Sequence, residues 1–353
     1  MKKVKPAISL VLALSFILVL AACGGTASSP PAEETSSPPA DDVASPAPEA
    51  STWEPEKTVE MIVIGAAGGA TDLLARAIEG VWSNHCDQPL LITNMPGGGG
   101  VTGAMAVASS EPDGYTIEMG YGSGNDMAMM YLQELEYDPF TMLEPLCLMS
   151  VHNIAIVAPI DSEFNTMADV VEWAEAHPDT PVTASVATAN GNVDLVLQAV
   201  RQCTGIDMSI VPHDGGAQAM TDLLSGSYMI GGGHPAEIYS YIESGQLKAI
   251  AVSGEERDPA FPDVPTLKEQ GIDFSSYGSI KGLAVPVGTP DEIKQYYEAL
   301  FAEIAADPEF EEKMSAMAQP VVYMDTEEFT QFFADANADN KRLIEDLGLA
   351  YYQ

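Results

Sequence analysis

Short apolar runs recur along the chain. Each is closed by a glycine-rich stretch and followed by apolar residues at helical spacing. Residues 61–64 read as a strand, Gly65, Gly68 and Gly69 as a sharp turn, and Leu74, Ile78 and Val81 as one face of a helix. Thr71 and Asp72 are its expected caps. Residues 89–94 repeat the pattern, followed by Gly97, Gly98, Gly99 and Gly100, then Ala104, Val107 and Ala108 on a small-residue helix. Residues 115–119 form a third expected strand, ending in a loop with Gly120, Gly122, Ser123 and Gly124. Strands that alternate with helices and end in permissive loops predict an open α/β sheet that binds ligands outside its strands' carboxyl ends.

The remainder of the chain predicts a second lobe. Residues 154–159 read as a strand crossing between lobes, and 166–177 as a helix capped by Thr166. Further strands are expected at 182–186, 208–211, 228–230 and 247–252, with helices around Leu195 and Leu197 and over 217–224. The strand at 279–286 is expected to cross back. Helices follow at 291–307, 308–317 and 326–347, the last capped by Thr326, Glu327 and Glu328. Its Phe329, Phe332, Phe333, Leu343 and Leu347 are expected to pack on the first lobe. The expected division is 57–157 plus 281–353 for lobe 1 and 158–280 for lobe 2.

The start of the chain has another character. A basic stretch, an apolar run over 7–20 and Leu20-Ala21-Ala22-Cys23 resemble a lipoprotein signal peptide over 1–22, with cleavage before Cys23 and lipid on that residue. Residues 23–56 are rich in Ser, Pro, Ala and Glu and predict a disordered tether.

Acidic residues outnumber basic ones by 52 to 14, a formal charge of −38. That field excludes nucleic acid as a partner and opposes adsorption to anionic lipid. An anion site here has to work through local dipoles. The start of the first helix supplies them, since its leading N–H groups lack intrahelical partners and suit a carboxylate or phosphate. Cys86, Cys147 and Cys203 show no metal spacing and are expected as free thiols, with one disulfide as the alternative. No nucleophile elbow and no zinc-protease helix occurs, so no catalytic residue, metal or cofactor is expected. Ser123 and Ser185 are candidate hydrogen-bond donors to a ligand, and His213 and His234 lie at expected cleft loops. A structural loop bond is the alternative for each of the four. Asp72 is a helix cap or a ligand-side acceptor, and Arg76 one turn later is its expected partner.

Gly68-Gly69-Ala70-Thr71-Asp72 with Arg76, Asn94-Met95-Pro96-Gly97-Gly98-Gly99-Gly100, Pro112-Asp113-Gly114-Tyr115-Thr116 and Val211-Pro212-His213-Asp214-Gly215-Gly216-Ala217 carry a resemblance. So do Asp222-Leu223-Leu224-Ser225-Gly226, Phe261-Pro262-Asp263-Val264-Pro265-Thr266-Leu267 and Val285-Pro286-Val287-Gly288-Thr289-Pro290. In this order they are similar to the extracytoplasmic solute receptors of tripartite tricarboxylate transporters. The resemblance implies a two-lobed periplasmic-binding-protein-like (type II) α/β fold with a ligand cleft between lobes. It implies a monomer, tethered to the membrane, that hands a small organic carboxylate to separate permease subunits. Backbone N–H groups would hold the acid at Ala66, Ala67, Gly68, Gly69, Thr71 and Asp72 and at Gly97, Gly98 and Gly99. Thr188 and Asn190 would approach from the second lobe. The chain departs from the family at 186–191, at His213-Asp214 where tyrosine-lysine is usual, and at Met229 where aspartate is common. Mono- or dicarboxylates, aromatic or amino ones included, are therefore expected rather than citrate. Alternative readings are a sensor lipoprotein signalling to a membrane kinase, and an enzyme acting on a phosphate or acyl ester.

Overall fold

The computed structural model describes residues 53–352, apart from 123 and 214. The expected signal peptide, Cys23 and most of the tether lie outside the described residues, as do Ser123 and Asp214.

The first part of the chain runs β1 (Val59–Val63), α1 (Ala70–Trp82), β2 (Leu90–Asn94), a 3-10 turn at Gly98–Gly100, α2 (Val101–Ala108), β3 (Thr116–Tyr121), α3 (Gly124–Leu132), α4 (Pro139–Met142) and β4 (Leu143–His152). The middle runs β5 (Ala155–Pro159), α5 (Met167–Ala176), β6 (Val182–Val186), α6 (Asn192–Thr204), β7 (Met208–Pro212), α7 (Gly216–Leu224), β8 (Ile230–Gly233), α8 (Pro235–Glu243) and β9 (Leu247–Val252). The chain ends with β10 (Ser279–Pro286), α9 (Asp291–Ala305), α10 (Pro308–Ala316) and α11 (Thr326–Asp346).

Each lobe is built on a five-stranded sheet, in the order β2-β1-β3-β10-β4 or β7-β6-β8-β5-β9. In the first, β1 runs parallel to β2 and β3, while β10 is antiparallel to β3 and β4. In the second, β6 runs parallel to β7 and β8, while β5 is antiparallel to β8 and β9. One antiparallel strand in each sheet thus leaves the carboxyl ends of the other strands along a single edge, where ligand loops belong.

The crossings sit a few residues from where the sequence places them. β5 pairs inside the second sheet from its first residue, Ala155 lying opposite Gly233 and Val252. β10 pairs inside the first sheet from Ser279, opposite His152. The chain therefore leaves the first lobe at 153–154 and returns just before 279, not at 157/158 and 280/281. Hydrophobic runs mark both strands, but their flanks carry no signal of which sheet receives them. The tether boundary also moves. Trp53 packs edge-on to Tyr115 and Tyr296, and Glu56 N–H donates to the Tyr115 hydroxyl, so 53–56 belong to the first lobe.

The sheets bury both faces. In the first lobe, Met61, Ile117 and Leu283 meet Leu74 and Ile78 of α1 and Phe301 of α9 on one side. Ile62, Leu148 and Ile280 meet Phe329 and Phe333 of α11 on the other. Each fully buried aliphatic or aromatic side chain of this kind contributes about 1.5–3 kcal/mol. In the second lobe, Ile156, Val186, Leu197 and Val200 share one cluster, and Val157, Leu223 and Ile238 another.

α11 does more than cover the first lobe. Leu343 and Leu347 pack with Ala128 and with Leu195 of α6 in the second lobe, and Gln202 Nε2 donates to the Asp346 carbonyl at 2.8 Å. Its cap is Asp325, whose side chain accepts from Glu328 N–H; the Thr326 hydroxyl instead faces the Leu146 carbonyl and the Glu298 carboxylate. The expected strand at 228–230 is shifted into the glycines, which form β8. A Cβ on Gly232 would come within 2.5 Å of Val193, and one on Gly233 within 2.6 Å of Ile238. The glycine run is there a core strand under three close helices, not a turn.

Candidate functional site

The loops that enter α1 and α6 are twins on opposite lobes. Each helix is preceded by a glycine in extended conformation, Gly69 at φ −78, ψ 166 and Gly191 at φ −75, ψ 172. Before each glycine stands a residue with positive φ, Gly68 at 80° and Asn190 at 56°; asparagine is a side chain that tolerates this region. Asp72 Oδ2 accepts the Gly68 N–H at 2.8 Å, and Asp194 Oδ2 accepts the Asn190 N–H at 2.6 Å. Gly69 and Gly191 N–H donate back to Ala66 and Thr188 carbonyls at 3.1 and 3.3 Å. An acidic residue in the first turn thus ties down the loop four residues behind it.

This corrects the expected caps of α1. Gly69 is the capping residue and makes no side-chain cap bond. Thr71 packs inward, its methyl 3.1 Å from where a Cβ on Gly120 would lie. Asp72 is nearly fully buried, with its other carboxylate oxygen 3.2 Å from Arg76 Nε. Both of its oxygens are engaged within the first lobe. Ala66, Ala67 and Gly68 lie exposed on the rim, with Gly69 half-buried behind them. In the loop after β2, Gly97, Gly98, Gly99 and Gly100 all take positive φ, from 57° to 130°. Four such residues in succession are accessible only to glycine without strain, and the turn they make brings Gly100 and Thr102 N–H onto the Gly97 carbonyl.

Where the two sheet edges meet, a polar cluster is enclosed. His152, the last residue of β4, places Nε2 3.2 Å from Nδ1 of His234, which precedes α8. Glu237, in the first turn of α8, accepts the Ala70 N–H at 3.2 Å across the lobe boundary and the His234 N–H at 3.5 Å. Lys281 of β10 is buried near enough to act on His152, His234 and Glu237. Burial lowers the His152 pKa well below the usual imidazole range, helped by His234 and Lys281. Burial and then Lys281 bring His234 down to about 3. Burial raises the Glu237 pKa against the pull of its two N–H donors and Lys281. Glu237 keeps an edge open to solvent, but protein surrounds its carboxylate. Both histidines are thus neutral hydrogen-bonding groups at pH 7.

Of the residues singled out in the sequence, His234 joins this cluster. His213 does not: Nε2 lies 3.1 Å from Asp222, Nδ1 3.2 Å from the Val186 carbonyl, and the ring meets Tyr228 edge-on. It fastens β6 to α7 within the second lobe. Ser185 is buried in β6 and its hydroxyl donates to the Ala219 carbonyl at 2.8 Å, which uses its one proton. Thr188 and Asn190 sit half-buried in the α6 loop. His152, Glu237 and Lys281 escaped the sequence reading. A lysine inside the apolar run of β10 and an acid three residues after His234, at capping-box spacing, were the available signals. Among the described residues no group of three or more His, Cys, Asp or Glu could hold a metal ion, and Cys86, Cys147 and Cys203 are free thiols.

The model of the tripartite tricarboxylate transporter family receptor matches residues 74–349. The chain belongs to this receptor family. It is 30% identical over 299 residues to the UPF0065 protein in gbd 5'region of Cupriavidus necator, covering 85% of this chain and 90% of that one. The periplasmic binding protein BugD superposes with a TM-score of 0.75 at 28% identity, covering 84% of this chain and 99% of the other. R. palustris Rpa4515 with adipate superposes with a TM-score of 0.76 at 23% identity over 84% and 99% of the two chains, a likeness of fold. The two-lobed architecture of the receptors is the one found here, and the family is one of extracytoplasmic solute-binding receptors, not enzymes. Among the described residues no helix is long and apolar enough to cross a membrane.

Proposed function

We propose that this receptor is a lipid-anchored protein that captures a small organic carboxylate between its lobes and delivers it to the membrane permease subunits of a tripartite transporter. The observation that carries this reading is the Ala70 N–H at the start of α1, which already holds a carboxylate in the structure, that of Glu237. The mouth of the first lobe therefore has the geometry and the dipole for an acid group. The glycine loops at 66–69 and 97–99 leave backbone close to an incoming solute, and the twin loop with Thr188 and Asn190 approaches from the other side. A structural relative holding adipate supports the carboxylate class. Solute would enter and leave as the lobes open and close about the crossings at 153–154 and just before 279, the closed form excluding water, a hinge motion usual for such receptors. The Leu20-Ala21-Ala22-Cys23 stretch supports lipid attachment at Cys23 and a protein tethered outside the cell membrane.

Thermal-shift screening of the mature protein with mono-, di- and tricarboxylates, sugars and cations tests this. A carboxylate that binds the native state raises its melting temperature by mass action. A shift confined to sugars or cations contradicts the proposal.

A further inference from the structure

The site contains its own acid. Glu237 belongs to the second lobe and the amide it occupies to the first, so the bond exists only when the lobes are together. Three helices begin around its carboxylate. α1 contributes Ala70 N–H at 3.2 Å, and α8 contributes His234 N–H at 3.5 Å. α7 begins so close that a Cβ on Gly216 would come within 3.0 Å of Glu237 Oε2. Converging helix starts favour an anion. This anion is covalently attached, so it faces the amide at a high effective concentration. An acid group from solution that uses the same amide has to displace it.

We propose that Glu237 is a tethered competitor for the solute's acid group, occupying the Ala70 amide across the cleft, holding the lobes together without solute and setting which acids bind. The inference rests on the receptor reading above and adds a residue that decides affinity within it. A solute gains at this amide only the difference between its own bond and the one Glu237 gives up. Weak single acids are therefore selected against, and acids with further contacts on both lobes are favoured. Glu237 also explains how an amide-lined mouth stays satisfied in the closed form, since an enclosed N–H without an acceptor is costly.

The test compares the wild-type mature protein with Glu237→Ala and the size-conserving Glu237→Gln. Small-angle scattering without solute reads lobe closure, and calorimetry with succinate and benzoate reads affinity. Glu237→Ala is expected to scatter as a more extended particle and to bind at least one of the acids about tenfold more tightly, the scale of a hydrogen bond to a charged group. Glu237→Gln is expected to fall between, because its amide oxygen still accepts but carries no charge. Scattering profiles identical to wild type, or weaker acid binding by both variants, would overturn the proposal. If no protein binds either acid, the carboxylate reading fails separately, and the scattering comparison alone decides whether Glu237 holds the lobes.

Discussion

His152 Nε2 lies 3.2 Å from His234 Nδ1, joining the end of a first-lobe strand to the start of a second-lobe helix. At that distance one ring donates and the other accepts, an arrangement open only to neutral or singly protonated rings. In the unfolded chain each histidine titrates near 6.5, whereas His234 in the fold titrates near 3. Between those values the unfolded chain binds the extra proton. Stability is therefore complete above the upper value and falls as pH drops through the window. Glu237, Asp194 and Asp258, whose pKa values burial raises, act in the opposite direction over part of the same range. The histidine effect is isolated by difference. His234→Asn is expected to lose about 1 kcal/mol less than wild type between pH 7 and pH 5, allowing for its partial exposure. Melting temperatures at the two pH values should differ by about 2–4 °C less in the variant.

Asp72 and Asp194 hold equivalent loops on opposite lobes. Replacing either with alanine leaves the Gly68 or Asn190 N–H without its acceptor. Each variant is expected to lose about 1–2 kcal/mol by denaturant unfolding, the usual cost of deleting a side-chain bond to a helix-start loop. The double variant should be additive, because the two bonds lie on separate lobes and share no partner. Asp72→Ala should also weaken acid binding, since the loop that presents the amides is no longer pinned.

Gly278 marks the return crossing. It adopts φ +77, and a Cβ there would come 2.2 Å from the His152 carbonyl oxygen. Gly288 has a similar φ of +89 with nothing within 4 Å. Gly278→Ala is expected to destabilise by about 3 kcal/mol and Gly288→Ala by about 1 kcal/mol. The difference measures the clash at the crossing, free of the shared cost of left-handed backbone.

The α/β order of the chain was legible because strands such as Val182–Val186 and Leu247–Val252 are short apolar runs between turn residues. Helices such as α5 announce themselves through a cap, Thr166, which forms a capping box with Asp169. β4 and α8 were not legible. β4 carries Glu144 and Pro145 near its start, and α8 begins within the glycine and proline punctuation of 231–235. The site followed the same division. The loop into α1 is a local motif, and its glycine turn could be read from Gly68 to Asp72. The inter-lobe cluster joins residues 152, 234, 237 and 281, and only the closed sheets bring them together. His213 was expected at the cleft because a glycine loop follows it, yet Asp222 and the Val186 carbonyl hold its ring within the second lobe.

Ala70→Pro probes the grip on the acid directly. Proline is well tolerated at the first position of a helix, where no helical carbonyl uses the N–H it deletes; here that N–H is the one Glu237 accepts from. The extended Gly69 before it, at ψ 166, is compatible with a following proline. Because that N–H also holds Glu237, the variant is expected to lose about 1–3 kcal/mol by denaturant unfolding, and Ala70→Pro placed in the Glu237→Ala background should bind carboxylates about tenfold more weakly than Glu237→Ala alone by calorimetry.

A crystal structure of the mature protein with a bound carboxylate tests the account most directly. An acid oxygen is expected about 2.7–3.2 Å from backbone N–H groups between Ala66 and Asp72, with the second lobe closed over it. An acid held instead by side chains of the second lobe alone, or bound outside the gap between the sheets, would contradict it.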